Sequence, residues 1–255
     1  MATVVIGDVH GNVAALDDLV SRLDPLMEST DTVVFLGDYI DRGPDTRGCI
    51  DRILRWRRES TATVVTLLGN HEDWLLRSIE DPTHHSWLMG MEAHETIASY
   101  SPRVADELRL ALEEAGPRLL TERVTLPYER LVEVMPPSHL DFLRSLKLYQ
   151  RTDDALCLHG GLDPSIPGVE GQLHEALLWG TDDFVDAYSG DELVVYGHWG
   201  SAVLDREGWP HPRIQGRTIG IDTIGHGVLT AVRLPQRQVI QSARYGGDAQ
   251  RGASG

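Results

Sequence analysis

The sequence predicts an α/β fold carrying a helical insertion, and three observations predict it. Short β-branched runs alternate with helical patterns through the first 80 residues, the texture turns helical from about 84 to 150, and the last hundred residues return to strands. A chain of 255 residues is long enough to bury one sizeable core. We therefore expect a single domain over 1–245 with the insertion at about 84–150, and a Gly-rich flexible tail over 246–255.

The first expected strand is "TVVI" (3–6), followed by a helix over "NVAALDDLVSRL" in which Leu16, Leu19, Val20 and Leu23 recur at helical spacing. "TVVFL" (32–36) then precedes a helix opened by Pro44, and "TVVTLL" (63–68) precedes "EDWLLRSI". A β-α-β-α-β-α start of this kind predicts a mostly parallel sheet with right-handed crossovers, whose ligands bind at the carboxyl ends of the strands. The insertion is clearest in "SPRVADELRLALEEAG" and "PPSHLDFLRSL". Strands are expected again at "ALCLHG" (155–160), "ELVVYGH" (192–198), "RTIGID" (217–222), "GVLTAVRL" (227–234) and "QVIQSARY".

A formal charge of -16 and a pI near 5.0 argue against a nucleic-acid polymer as partner, because the whole-molecule field repels a polyanion. Arg52, Arg55, Arg57 and Arg58 around Trp56 read as a solvated helix face. Cys49 and Cys157 lie far apart in sequence and fit a reducing cytosol better than a disulfide framework. "MATVVIGDVHG" has no basic leader and too short an apolar run for a signal peptide, and no stretch approaches the ~20 apolar residues of a membrane span. The expectation is a cytoplasmic protein with no membrane partner.

Five of the strand ends place Gly beside Asp, Asn or His: "IGDVHGN", "LGDYIDRG", "LGNHE", "LHGG" and "YGHWG". Gly permits tight turns close to other backbone, while carboxylate, amide and imidazole groups suit Mn, Fe or Zn. Taken singly, Asp8 or Asp38 reads as a helix N-cap, and His159 or His198 as a satisfied core histidine. Together they point to a metal site.

These motifs, in this order over residues 7–198, resemble those of the PPP family of metallophosphoesterases, the Ser/Thr protein phosphatases and their bacterial relatives. The resemblance implies a calcineurin-like metallophosphoesterase fold, a central β-sandwich flanked by helices, and a hydrolase with two divalent ions, Mn2+ foremost and Fe or Zn as alternatives. It implies that Asp8 and His10 hold the first ion, Asp38 bridges both, and Asn70, His159 and His198 complete the second. Two ions bring four positive charges and Asp8 and Asp38 neutralise two, which leaves a surplus for a phosphate dianion. Two ions ~3.5–4 Å apart also activate water for direct attack on phosphorus. Arg42 binds phosphoryl oxygens through its planar fork, with Asn70 and His71 also facing substrate. Asp41 pairs with His71, keeping it protonated to serve the leaving group.

The chain departs from bacterial relatives at "LLWGTDDF", where Thr181 replaces an Arg that clamps phosphate. Loss of such a clamp costs about 1.5–3 kcal/mol if nothing replaces it. Arg206, His211 and Arg213 are the candidates to replace it. Trp199 follows His198 where relatives commonly have Thr; it either packs on neighbouring loops or stacks on a substrate ring. Asp222 either orients a metal-binding His or caps a turn. The remaining histidines, His84, His85, His94, His139 and His174, read as surface or cap residues, with His226 unassigned. The motifs put first a phosphomonoesterase acting on phosphoserine or phosphothreonine in proteins. The alternative is a hydrolase resembling bis(5'-nucleosyl)-tetraphosphatases, and the third reading is a weakened phosphate-binding protein.

Overall fold

A computed structural model describes residues 1–246 and shows two five-stranded sheets. Strands β1 (Thr3–Ile6), β2 (Thr32–Phe35) and β3 (Thr63–Thr66) are parallel, pairing Thr3 with Thr32 and Thr32 with Thr63. β11 (Thr230–Leu234) and β12 (Gln238–Gln241) extend this sheet antiparallel on the β1 side, giving the order β12-β11-β1-β2-β3. The second sheet has the order β4-β5-β6-β10-β9, built from β4 (Tyr149–Arg151), β5 (Leu156–Leu158), β6 (Val194–Tyr196), β9 (Arg213–Gln215) and β10 (Thr218–Gly220). β7 (Val203–Leu204) and β8 (Pro210–His211) form a separate hairpin.

The expected central sandwich is present, built from two mixed sheets and not from the mostly parallel sheet that the opening β-α alternation suggested. Val5, Val34, Leu36 and Val232 of the first sheet meet Cys157, Val195, Ile219 and Ile221 of the second in one buried cluster. A one-residue register slip would turn these side chains to the other face, so the apolar alternation pins both sheets. β2, β3, β5, β6 and β10 end one or two residues earlier than the quoted runs, where the Gly-containing loops begin, while β1 and β11 end where expected.

Helices α1 (Val13–Leu23), α2 (Thr46–Glu59) and α3 (Asn70–Glu80) pack on the outer face of the first sheet. α2 does not start at Pro44: Asp45 is its N-cap, accepting from Gly48 N at 2.8 Å. Trp56 is buried while Arg55, Arg57 and Arg58 face solvent, as the solvated-face reading requires. The insertion supplies α4 (Ser86–Gly90), α5 (His94–Tyr100), α6 (Pro102–Ala115), α7 (Glu129–Val134) and α8 (Pro137–Arg144). Its Trp87, Ile97, Leu108 and Phe142 belong to the same apolar cluster as Leu16, Phe35 and Trp56, so it continues the main core. His85 and His139, expected at the surface or in a cap, are buried: His139 bonds Tyr100 Oη and Asp51, and His85 bonds Tyr128 Oη and the Val124 carbonyl. α9 (His174–Trp179) and α10 (Phe184–Ala187) cover the second sheet. Both cysteines are unpaired and buried. Among the described residues no helix is long and apolar enough to cross a membrane. The expected tail lies outside the described residues apart from Gly246.

Candidate metal centre and active site

The strand ends are tied to one another by backbone before any side chain is considered. Val9 N and His10 N both donate to the Asp38 carbonyl, at 3.0 and 2.8 Å, and Gly11 N donates to Tyr39 O. Glu72, from the first turn of α3, accepts from four amides, those of Asp38, Tyr39, Ile40 and Gly69. Its carboxylate clamps the turn after β2 to the turn after β3. Burial, with Asp38 second, pushes Glu72 up to about 7.

These loops hold unusual backbone. Of the seven non-Gly residues with positive φ among the described residues, five are His10, Asp38, Asp41, Arg42 and His198. Such conformations are costly and persist where surrounding bonds over-determine them, often at functional sites. Two glycines make the room. A Cβ on Gly69 would run into Asp38 Oδ1, and one on Gly197 into Asp8 Oδ1.

Asp38 lies at the middle of the site, with Oδ2 3.5 Å from His10 Nε2 and 3.8 Å from His71 Nε2, and Oδ1 3.4 Å from His159 Nε2. Two donor groups share it: His10, Asp38 and His71, and Asp38, His159 and His198, each set within 4.8 Å. Asn70 Oδ1 joins the second, 2.8 Å from His159 Nε2 and 2.9 Å from His198 Nδ1. Asp8 stands to the side, its Oδ2 accepting from His198 N at 2.9 Å. The expected set is brought together, with Asp8 outside both groups and His71 inside the first.

The donor set fits divalent cations. Asp8 Oδ1 is buried without a hydrogen-bond partner, and burial followed by the neighbouring Asp222 raises this carboxyl well above its ordinary value. An anionic oxygen so placed requires a proton or a cation. Burial pushes His10 and His198 down to about 3, leaving both neutral as ligands must be. Burial also opposes charge on His159, but Asp38 outweighs it and holds that imidazole at about 9. A cation and that proton are alternatives beside the same carboxylate, so metal binding weakens as the pH is lowered. The rings are oriented by backbone carbonyls: His10 Nδ1 lies 2.9 Å from Ile40 O, and His159 Nδ1 3.1 Å from Leu36 O. Of the two roles weighed for Asp222, its hydrogen bond is that of a turn cap: it accepts from Gly200 N at 2.6 Å, holding the loop beyond His198.

His71 Nδ1 lies 2.8 Å from Asp41 Oδ2, as expected. Asp41 also accepts from Trp87 Nε1 at 2.9 Å and Thr96 Oγ1 at 2.6 Å, two donors from the helical insertion that the motifs did not reveal. Burial raises Asp41 while these donors oppose it. Burial lowers His71, but Asp38 and Asp41 outweigh it and its net direction is upward. A cation on Asp38 would take up part of that charge, leaving Asp41 to hold the proton. Arg42 is exposed, with Nη2 3.4 Å from His71 Nε2.

Across the cleft, Thr181 Oγ1 donates to Asp183 and to Leu162 O, and among its replacement candidates Arg213 shares a cavity with it. His211 is engaged by Asp205. Trp199 does pack on a neighbouring loop, donating from Nε1 to Gly160 O at 2.7 Å, yet its side chain remains 40% exposed. Its ring centroid is 5.4 Å from that of His198.

The profile of the calcineurin-like phosphoesterase family matches residues 1–226. The chain is 25% identical to an asymmetrical bis(5'-nucleosyl)-tetraphosphatase of Oceanobacillus iheyensis, covering 94% of this chain and 91% of that protein. It is 31% identical to a zinc-dependent endopolyphosphatase of Saccharomyces cerevisiae, covering 91% of this chain and 75% of that protein. A solved structure proposed to be a diadenosine tetraphosphatase superposes with a TM-score of 0.64 at 21% identity, covering 96% of this chain and 95% of that one.

Proposed function

The chain belongs to the calcineurin-like phosphoesterase family, and from that premise we propose that this metal-dependent phosphoesterase hydrolyses dinucleoside tetraphosphates. The observation that carries the chemistry is Asp38 set among His10, His71 and His159 with the unpartnered Asp8 oxygen beside them. The substrate class is supported by full-length similarity to asymmetrical and symmetrical tetraphosphatases, the latter 27% identical in Pectobacterium atrosepticum. The endopolyphosphatase relative shares with them a substrate made of linked phosphates. The protein phosphatase reading, which the motifs alone put first, therefore takes second place. A net charge of -16 does not oppose a polyanion here, because two divalent ions and Arg42 dominate the local field.

In this reading Asp8, His10 and Asp38 would hold one divalent ion, and Asp38, Asn70, His159 and His198 a second. When bound, the ions supply Lewis-acid charge for phosphoryl oxygens and lower the pKa of an attacking water. Arg42, exposed at the cleft mouth, grips the phosphoryl oxygens in exchange for its contact with His71 Nε2, and Asn70 and His71 face the substrate from the first turn of α3. His71 carries a proton on Nε2 for the departing oxygen while Asp41 holds Nδ1–H. Trp87 and Thr96 fix Asp41 and so fix the tilt of the imidazole.

A panel of diadenosine tetraphosphate, a phosphoserine peptide and an aryl phosphate, run on Mn2+-loaded protein, tests the proposal. Diadenosine tetraphosphate is expected to give the highest kcat/KM. A phosphopeptide preferred by tenfold or more, roughly 1.4 kcal/mol in transition-state binding, would return the protein phosphatase reading to first place.

A further inference from the structure

Beside the metal centre, across the indole of Trp199, lies a cavity of about 440 Å³ whose lining includes Thr181, Phe184, Tyr196, Trp199, Ser201 and Arg213. Its volume falls within the ~300–1,000 Å³ range of small-molecule sites. We propose that this cavity is a subsite for a purine nucleoside at one end of the substrate; the proposal rests on the tetraphosphatase reading.

Three observations point to a nucleoside. The first is a fixed aromatic wall: Trp199 is tied by Nε1 to Gly160 O and packs against Gly180, so one exposed face is held ready to stack without further loss of rotamer freedom. The second is an aromatic lining: Phe184 and Tyr196 stand in the same cavity, their ring centroids 5.3 Å apart, and extend the apolar surface against which a base can lie. The third is charge. The rim carries the carboxylates Asp182 and Asp186 against one cation, Arg213, whose Nη2 already donates to Gln215. That balance disfavours a phosphate and suits the hydroxyls of a ribose. Thr181 then has a positive role, since a long Arg at this position would enter the cavity, and the short hydroxyl keeps it open.

The test is calorimetric titration of Mn2+-loaded full chain with adenosine and with guanosine, uncharged probes that carry no phosphate to the metal centre. At least one should bind, and Trp199→Ala should weaken it about tenfold. Trp199→Ala should raise KM for diadenosine tetraphosphate roughly tenfold, the loss of one stacked base. Because Trp199 also touches His198, turnover of an aryl phosphate is measured beside it: an equal loss on both substrates would mean a damaged metal centre and would overturn the subsite. So would failure of both nucleosides to bind, or binding that Trp199→Ala leaves unchanged. Nucleoside binding without hydrolysis of the tetraphosphate would refute the tetraphosphatase reading while upholding the cavity as a nucleoside site.

Discussion

The two walls of the cleft are built by different rules. On the wall formed by the first sheet and the helical insertion, Asp38, Asp41, His71 and Glu72 are buried and each is held by several bonds. On the wall formed by the segment from Trp179 to Val203, Trp199 and Val203 are exposed and line an open cavity. The first wall has the rigidity that proton transfer and metal binding demand. The second has the open, adaptable surface that substrate choice demands. Substitutions on the first wall should therefore strike every substrate, and those on the second should sort substrates by size.

The largest effect is expected at Asp38. Asp38→Asn removes the carboxylate common to both donor groups and should lower activity on all substrates by more than the roughly 10–100-fold typical of losing a supporting partner, with metal content falling in parallel. A variant retaining both metal and activity would erase the distinction between the walls.

Next comes His71→Asn. Removal of a general acid costs ~10²–10⁴-fold when the leaving group is poor, so an alkyl phosphate should suffer most, a phosphoanhydride less and an activated aryl phosphate least. Uniform losses across the three would show that His71 binds rather than donates. Asp41→Asn should follow the same ranking more mildly.

On the opposite wall, Thr181→Arg should move two substrates in opposite directions. An added guanidinium near the phosphoryl oxygens raises kcat/KM for an aryl phosphate by up to about tenfold, while its bulk in the cavity raises KM for diadenosine tetraphosphate by several-fold. Asp183, which already accepts from Thr181, would draw off part of that gain. Parallel changes would place the cavity outside the substrate's path.

The smallest effect on turnover, but a clear one on stability, belongs to Glu72→Gln. The amide leaves at least one of four backbone donors unsatisfied, at about 1–3 kcal/mol, and should lower Tm while leaving the ranking of substrates intact.

The contrast also explains what could be read in advance. Asp8, His10, Asp38, Asn70, His159 and His198 stand at strand ends beside glycine, a pattern visible in the bare sequence because local backbone demands and ligand chemistry coincide there. Glu72 stood inside a quoted motif without a role, since three of its four amide partners lie more than thirty positions away in the turn at Asp38. Trp87 and Thr96 gave no signal at all: they reach Asp41 from helices whose apolar periodicity serves the core. Asp222 could stand at a turn or beside an imidazole as far as the sequence goes, and the Gly200 amide 22 positions away makes it a turn cap. The sandwich is the one the motifs implied, while the antiparallel pairing of β9 and β11, which makes both sheets mixed, is set by long-range packing and not by the local period.

The central claim, a two-ion site assembled on Asp38, is tested most directly by titrating Mn2+ into chelator-stripped protein while following bound metal and hydrolysis of diadenosine tetraphosphate together. The account predicts no turnover in the stripped protein, recovery that reaches its plateau as the second equivalent binds, and loss of both equivalents' affinity in Asp38→Asn. Full hydrolysis by stripped protein, or a plateau unaffected by Asp38→Asn, would contradict it.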